Sequence, residues 1–520
     1  TGESYPAAKT KLLNLIKSGL LMLNYTGHGN HLYLANEQII TKEDVTAMYN
    51  QNQALWVTAT CDFTRCDYTD VSAGESVLLN PAGGGIALFT TTRLVFSSDN
   101  FALNKQFAKN VFYKDANGYA MRLGDVMRLT KNALPGNSNK LNFILVGDPA
   151  LRLSFPAPNY TVVIDSVNGI AADQSITVNA LSPLKLKGHI NNPGSANVCS
   201  DFNGSVMIRI YDKLENMTTL ANDAGSTSFV YQDRPTMLFA GNTEAKNGYF
   251  AIESIIPKDI DYKFGAGRIN MYASDEKGRE GQGDFVNFAI GGSNNSLQWE
   301  NNGPDVSIYL NTTAFVSGDK VNETPLFLAK VRDDTGINTV GNGIGHDMTV
   351  LIDQDPAQYY VVNDYFEPTV GDYKSGSVQY SLPTQSEGKH SLTFKVWDVL
   401  NNSTSKTLEY EVVKGLAPDF ISLYNYPNPV VNGHTNFVLE HNRPDVVLSV
   451  IISVFDLSGR LLNMLSTSTS TESTKTTIPW NVTDSRGAVL KAGVYLCRID
   501  ISTQNGKITS KTQKVIVTKQ

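Results

Sequence analysis

The sequence predicts a multi-domain protein: part of an α/β catalytic core on a parallel sheet, followed by three all-β sandwich modules. Three observations lead there. Short, near-continuous apolar runs at residues 20–25 and 54–60 have the pattern of strands buried on both faces. After Pro156 and Pro158 the apolar period changes to two. Turn-rich breaks near Gly291-Gly292-Ser293-Asn294-Asn295 and at residues 415–418 divide the remainder of the chain into segments of ordinary sandwich size. The expected domains are therefore 1–155, 156–293, 294–415 and 416–520.

With 520 residues and 41% hydrophobic content the chain can bury several cores. Its formal charge of -7 offers no basic stripe for nucleic acid, and no apolar run approaches the ~20 residues that span a bilayer. Four cysteines cannot form a disulfide scaffold at this length. Residues 1–8 have neither a basic region nor an apolar one, so they do not read as a secretory signal. They read as the middle of a domain.

Ala8, Leu12, Leu15 and Ile16 recur at helical spacing between Pro6 and Ser18, and Gly19 stands where a C-terminal cap belongs. A helix therefore opens the chain. The run 20–25 is the first strand, and Thr41 with Asp44 three residues on marks a helix start. The run 54–60 is the second strand, parallel to the first through a right-handed crossover. Residues 86–92 and 142–146 supply two more strands, with helical patterns at 103–111 and 119–134. No element covers the outer edge of this sheet on its N-terminal side, which implies a preceding portion of the domain.

Beyond residue 156, Val206-Met207-Ile208-Arg209-Ile210-Tyr211 and Arg268-Ile269-Asn270-Met271-Tyr272 alternate as sandwich strands do. The next module takes strands at 305–310, 349–353 and 391–397, and the last at 436–440, 447–455 and 494–501. Short strands punctuated by turns fit immunoglobulin-like sandwiches.

The chemistry sits on the first two strands. Thr26-Gly27-His28-Gly29-Asn30 and Ala59-Thr60-Cys61-Asp62-Phe63 place a histidine and a cysteine directly after apolar strands. Sites in open α/β sheets form outside the carboxyl ends of the strands, where both residues fall. A thiol becomes a nucleophile when an imidazole takes its proton, so Cys61 is the expected nucleophile and His28 the base. The flanking glycines let the backbone turn and approach a substrate. His31 is the competing base. The backbone amides of Gly29 and Cys61 are candidate oxyanion donors.

Other features have plainer explanations. Cys66 lies in a polar loop, and Cys199 and Cys497 fall within β-modules, where packing accounts for them. Gly83-Gly84-Gly85 lacks the lysine and the context of a phosphate loop and reads as a turn. Asp62, Asp67 and Asp70 read as a solvated acidic loop rather than a cation site. No His/Cys spacing argues for zinc, and no cofactor or metal is expected. His346 fits a Gly-rich turn, and Pro427-Asn428-Pro429 a rigid chain entry.

Several separated motifs, in order, resemble the gingipain family of cysteine peptidases. They are Tyr25-Thr26-Gly27-His28-Gly29, Thr60-Cys61, Pro81-Ala82-Gly83-Gly84-Gly85-Ile86-Ala87-Leu88 and Gly147-Asp148-Pro149-Ala150-Leu151-Arg152-Leu153. The resemblance runs from about residue 11 to 153 and implies a caspase-like fold with His28 and Cys61 as its dyad and Gly29 as an oxyanion donor. It also implies that any acidic residue orienting His28 lies upstream of Thr1. The protease members continue their cysteine motif as Cys-x-x-Gly, whereas here Asp62-Phe63-Thr64-Arg65-Cys66-Asp67 comes next. That form, with Gly343-Ile344-Gly345-His346-Asp347 and Trp397-Asp398-Val399-Leu400-Asn401-Asn402-Ser403, is similar to the sortase branch that serves type IX secretion.

Tyr426-Pro427-Asn428-Pro429, Val454-Phe455-Asp456-Leu457-Ser458-Gly459-Arg460, Trp480 and Ala492-Gly493-Val494-Tyr495 resemble the C-terminal signal domain of type IX cargo. The resemblance implies a cell-surface enzyme, associated with the outer membrane, that removes such signal domains from cargo. It further implies anionic lipopolysaccharide as an acyl acceptor, and an outer-membrane β-barrel with other attachment subunits as partners. The alternatives are a gingipain-like broad endopeptidase that is itself cargo, and a non-catalytic adhesin or scaffold.

Overall fold

The structure, a computed structural model, describes residues 5–48, 50, 52–155, 160–221, 225–294, 301–339, 345–444, 446–469, 474–503 and 507–518. Pro156, Pro158, Asn295, Gly343 and Ile344, which carry part of the sequence pattern, lie outside them. The chain forms two compact units, Thr1–Tyr160 with Pro193–Ser195, and Thr161–Asn192 with Ala196–Gln520.

The first unit opens with helix α1 (Pro6–Ser18), which starts on a proline and stops at Gly19, where φ is 99°. Strand β1 (Met22–Thr26) follows, then a short ribbon of β2 (Tyr33–Leu34) and β3 (Ile40–Thr41). Helix α2 (Lys42–Ala47) begins at the expected place, where Thr41 and Asp44 cap each other reciprocally. Strand β4 (Ala54–Ala59) is buried at every position. Helix α3 (Ala73–Leu79) starts on a second such box, Ser72 with Glu75, and β5 (Gly85–Thr91) follows. Helices α4 (Ser97–Val111) and α5 (Leu123–Asn132) precede β6 (Phe143–Val146).

The sheet order is β1-β4-β5-β6. β1, β4 and β5 are parallel, as the buried apolar runs predict, but β6 runs antiparallel to β5. The expectation of a parallel sheet is therefore corrected at its last strand. A single crossover helix returns the chain to the start of the sheet, but here two helices intervene, and the second undoes the return made by the first. The chain re-enters beside the end of β5, where Thr92 N donates to Asn142 O at 2.9 Å.

Alternation along β4 divides the core. Trp56 packs with Leu23, Phe63, Val77 and Leu88 on one face, and Leu55 and Val57 with Phe89, Phe107 and Phe143 on the other. Each such side chain contributes about 1.5–3 kcal/mol on burial, so the sheet is a rigid base for whatever leaves its carboxyl edge.

In the second unit, seven strands of residues 160–285 close on themselves, because Tyr160–Val167 neighbours both Pro183–Asn191 and Glu280–Phe285. This corrects the picture of two open sheets for the segment 156–293. Closure is possible because Gly283 lets the backbones touch: a Cβ there would lie 1.9 Å from Val162 O. Residues 305–412 form a four-stranded and a five-stranded sheet over one core that includes Phe327, Val350, Phe394 and Tyr410. Residues 420–517 form a three-stranded and a four-stranded sheet over a core that includes Phe437, Trp480, Val454 and Ile499. Among the described residues no helix is long and apolar enough to cross a membrane.

Candidate active site

The register of β1 and β4 builds the site. Thr26 stands opposite Ala59, and Gly27 N donates to Ala59 O at 3.3 Å. Counting two residues on along each parallel strand places His28 and Cys61 in the two loops that leave the same edge. His28 is exposed and Cys61 partly buried.

The His28 carbonyl is held by two donors, the Tyr25 hydroxyl at 2.6 Å and Ala35 N at 2.8 Å. Asn30 tightens the loop by accepting from Leu32 N at 2.8 Å and Tyr33 N at 3.1 Å. The flanking glycines serve close approach rather than an unusual turn: a Cβ on Gly27 would lie 2.6 Å from the Tyr25 hydroxyl. One on Gly29 would lie 2.7 Å from Thr60 Oγ1 and 3.0 Å from Tyr33 O. Gly29 forms a bridge with Leu34 that is closed by its neighbours, Ala35 N to His28 O and Asn30 N to Tyr33 O. In this pattern the Gly29 N–H points away from the ladder.

On the other strand the chain turns at Asp62, whose φ is 51°. Asp62 N donates to Arg93 O at 3.3 Å and Thr64 N to Thr91 O at 2.9 Å, so the cysteine loop lies along the exit of β5. Buried hydroxyls tie it down further, Thr90 Oγ1 lying 2.7 Å from Thr58 Oγ1 and 2.9 Å from Thr64 Oγ1. Gly74 at the start of α3 presses on the same loop and donates to Phe63 O at 2.9 Å. The Cys61 thiol donates to Val95 O at 3.7 Å, and no hydrogen bond joins it to the His28 ring among the described residues. The segment carrying Val95 exposes Leu94 and Phe96.

The other candidates separate from this pair. The His31 ring packs on Tyr68 with centroids 4.3 Å apart. Cys66 is exposed, its thiol held up by partial burial and by the carboxylates of Glu75 and Asp67. Cys199 and Cys497 are buried, and burial pushes the Cys497 thiol up to about 12. The acidic loop is ion-paired rather than simply solvated: Asp67 takes both Arg93 amines, at 3.2 and 3.0 Å, and Asp62 lies 3.8 Å from Arg65. Gly84 has φ of 89° and sits against Val77 O, in a packed turn held by Asn50. His346 contacts Asp259 at 2.6 Å and the Trp397 ring at 4.4 Å, a more specific role than a turn.

Sequence reasoning missed Tyr25, Thr60, Val95 and Arg93. Tyr25 acts locally, on the carbonyl three residues on, whereas Thr60, Val95 and Arg93 act only because distant segments meet here, and the one signal available was that each lies within a few residues of a strand end.

Residues 1–154 are matched by the family model described as peptidase family C25. Among solved structures the chain is similar to dimeric latent PorU from Porphyromonas gingivalis, with 30% identity and a TM-score of 0.35 over 84% of this chain and 41% of that one. It is also similar to the Arg-specific cysteine proteinase gingipain R, with 14% identity and a TM-score of 0.27 over 56% of this chain and 57% of that one. For the complex of Porphyromonas gingivalis RgpB pro- and mature domains the figures are 15% and 0.26, over 56% and 58%. The chain thus spans less than two thirds of the length of each of these relatives. No curated protein sequence matches it.

Proposed function

We propose that the chain is the dyad-bearing part of a cell-surface cysteine peptidase and transpeptidase, a sortase that removes the C-terminal signal domain of type IX cargo. The observation that carries this reading is the Thr26–Ala59 register, from which the His28 and Cys61 loops leave one sheet edge together. The thiol proton, now directed at Val95 O, passes to His28 as the sulfur attacks the peptide carbonyl. Geometry of this kind tightens when substrate binds, so a bond to Val95 O in the resting site is compatible with the transfer.

The Gly29 and Cys61 amides receive the developing oxyanion, and His28 returns its proton to the departing amine, leaving a thioester on Cys61. Water resolves the thioester in hydrolysis, and an amine on anionic lipopolysaccharide does so in transpeptidation. In this reading the four expected domains are the catalytic part, two β-modules and a retained signal-like module. The protein works at the outer membrane's external face with a β-barrel anchor and attachment subunits.

The deciding experiment compares wild type with Cys61→Ala for release of C-terminal signal domains from a cargo protein. Loss of release is expected. Unchanged release in Cys61→Ala leaves the scaffold alternative, and rapid turnover of generic arginine or lysine peptides by wild type favours the broad endopeptidase.

A further inference from the structure

We propose that Arg65, Tyr68 and His31 form a bridge between the two loops of the site, and that His31 acts through its ring packing and not as a proton carrier. This rests on the reading of His28 and Cys61 as a dyad and assigns a role to the segment Arg65-Cys66-Asp67-Tyr68 beyond the nucleophile. The His28 loop is fastened at its start, where Gly27 N meets Ala59 O. Three residues beyond His28, the His31 carbonyl accepts from Ala73 N at 2.7 Å, and its ring lies against Tyr68 with centroids 4.3 Å apart at 43°. Tyr68 belongs to the loop that begins at Cys61.

The Arg65 guanidinium also stands over the Tyr68 ring, 5.5 Å from its centroid. It also reaches back along its own loop, to Asp67 at 3.5 Å and Asp62 at 3.8 Å. Asp67 in turn holds Arg93 in a two-pronged pair, and Arg93 O accepts from Asp62 N. The chain of contacts runs from the Val95 segment through Asp67, Arg65 and Tyr68 to His31. It therefore links the Val95 segment, the Cys61 loop and the far end of the His28 loop. Arg65, Tyr68 and His31 are positioning residues: a tilted contact between two rings and a cation over one of them need neither acid nor base, only ring surfaces and a charge.

The test uses the full chain, with Cys66→Ser as background so that exposed labelling does not obscure Cys61. Two readouts are taken: kcat and KM for removal of a cargo signal domain, and the rate of Cys61 alkylation by iodoacetamide against pH. Tyr68→Ala and His31→Ala are expected to lower kcat about tenfold, with KM within about twofold, because small misplacement of reacting groups costs one to two orders of magnitude. Both are expected to change the alkylation profile.

Tyr68→Phe and His31→Phe keep the two rings and are expected to restore kcat and the wild-type profile. If His31→Phe is as impaired as His31→Ala, the imidazole itself carries protons and the proposal is overturned. If Tyr68→Ala matches wild type in both readouts, the bridge does nothing. Failure of the dyad reading is separate, since it shows as cargo processing by Cys61→Ala, and the alkylation readout still judges the bridge.

Discussion

Gly29 lies so close to Thr60 that a single added carbon would stand 2.7 Å from the threonine hydroxyl. That hydroxyl is buried and has no hydrogen-bond partner among the described residues. The two residues flank the proposed dyad, Gly29 just after His28 and Thr60 just before Cys61, so their contact limits how near the two loops come.

Gly29→Ala is expected to push the His28 loop outward, costing about 1–3 kcal/mol of stability by overpacking and at least tenfold in the proposed cargo processing. Thr60→Val keeps the shape and removes the orphaned hydroxyl, so it is expected to be neutral or mildly stabilising. Urea midpoints for the two variants check both signs.

Thiol labelling of the native chain is expected to reach Cys61 and Cys66 and to spare Cys199 and Cys497. The latter pair are buried, and burial holds the Cys497 thiolate out of reach until about pH 12. Mass spectrometry after brief iodoacetamide treatment, with and without urea, reads the order. Labelling of Cys497 in the folded state would contradict its environment.

Asp259 collects hydrogen bonds from His346 at 2.6 Å, Asn401 at 2.7 Å and Asn338 at 3.2 Å, and its neighbour Lys258 N donates to Val399 O at 3.0 Å. The Gly-His-Asp and Asn-Asn-Ser motifs thus meet on one carboxylate of the preceding β-module. Asp259→Ala is expected to cost about 2–4 kcal/mol, because several polar groups lose a charged acceptor together. Hydrogen exchange over residues 388–412 should quicken in this variant.

His441 is buried beside Arg443, and burial together with that cation lowers its pKa to about 4. The unfolded chain binds the proton near 6.5, so between these values the unfolded state holds a proton that the folded state refuses. Stability present above pH 6.5 is therefore lost as the pH falls toward 4, by an amount on the order of 3 kcal/mol. His441→Gln, which can still accept from Arg443 N, should flatten this slope in thermal melts at graded pH.

Much of the first unit was legible in the chain. Apolar runs marked β1, β4 and β5, and the Thr41/Asp44 pair marked α2, because these signals are carried by neighbouring residues; burial on both faces holds for β4 and β5 but not for β1, an edge strand in which only Leu23 is buried. Helix α5 is shorter than its apolar pattern suggested, since residues 115–118 turn and Lys114 bridges Ala120 before it starts. The direction of β6 and the closure of the sheet in residues 160–285 were not legible, because each depends on how separate segments return.

By itself the sequence determined which residue types stand at the strand ends, His28 and Cys61, and where the strands of the first sheet run, since apolar patterning and strand-end position are local properties. Only the tertiary structure decided what those residues touch: the Cys61 thiol at Val95 O, Gly29 against Thr60, His31 on Tyr68 and Asp259 beneath His346. Contacts of that kind join segments tens of residues apart, and they are set by register and packing rather than by any preference written along the chain.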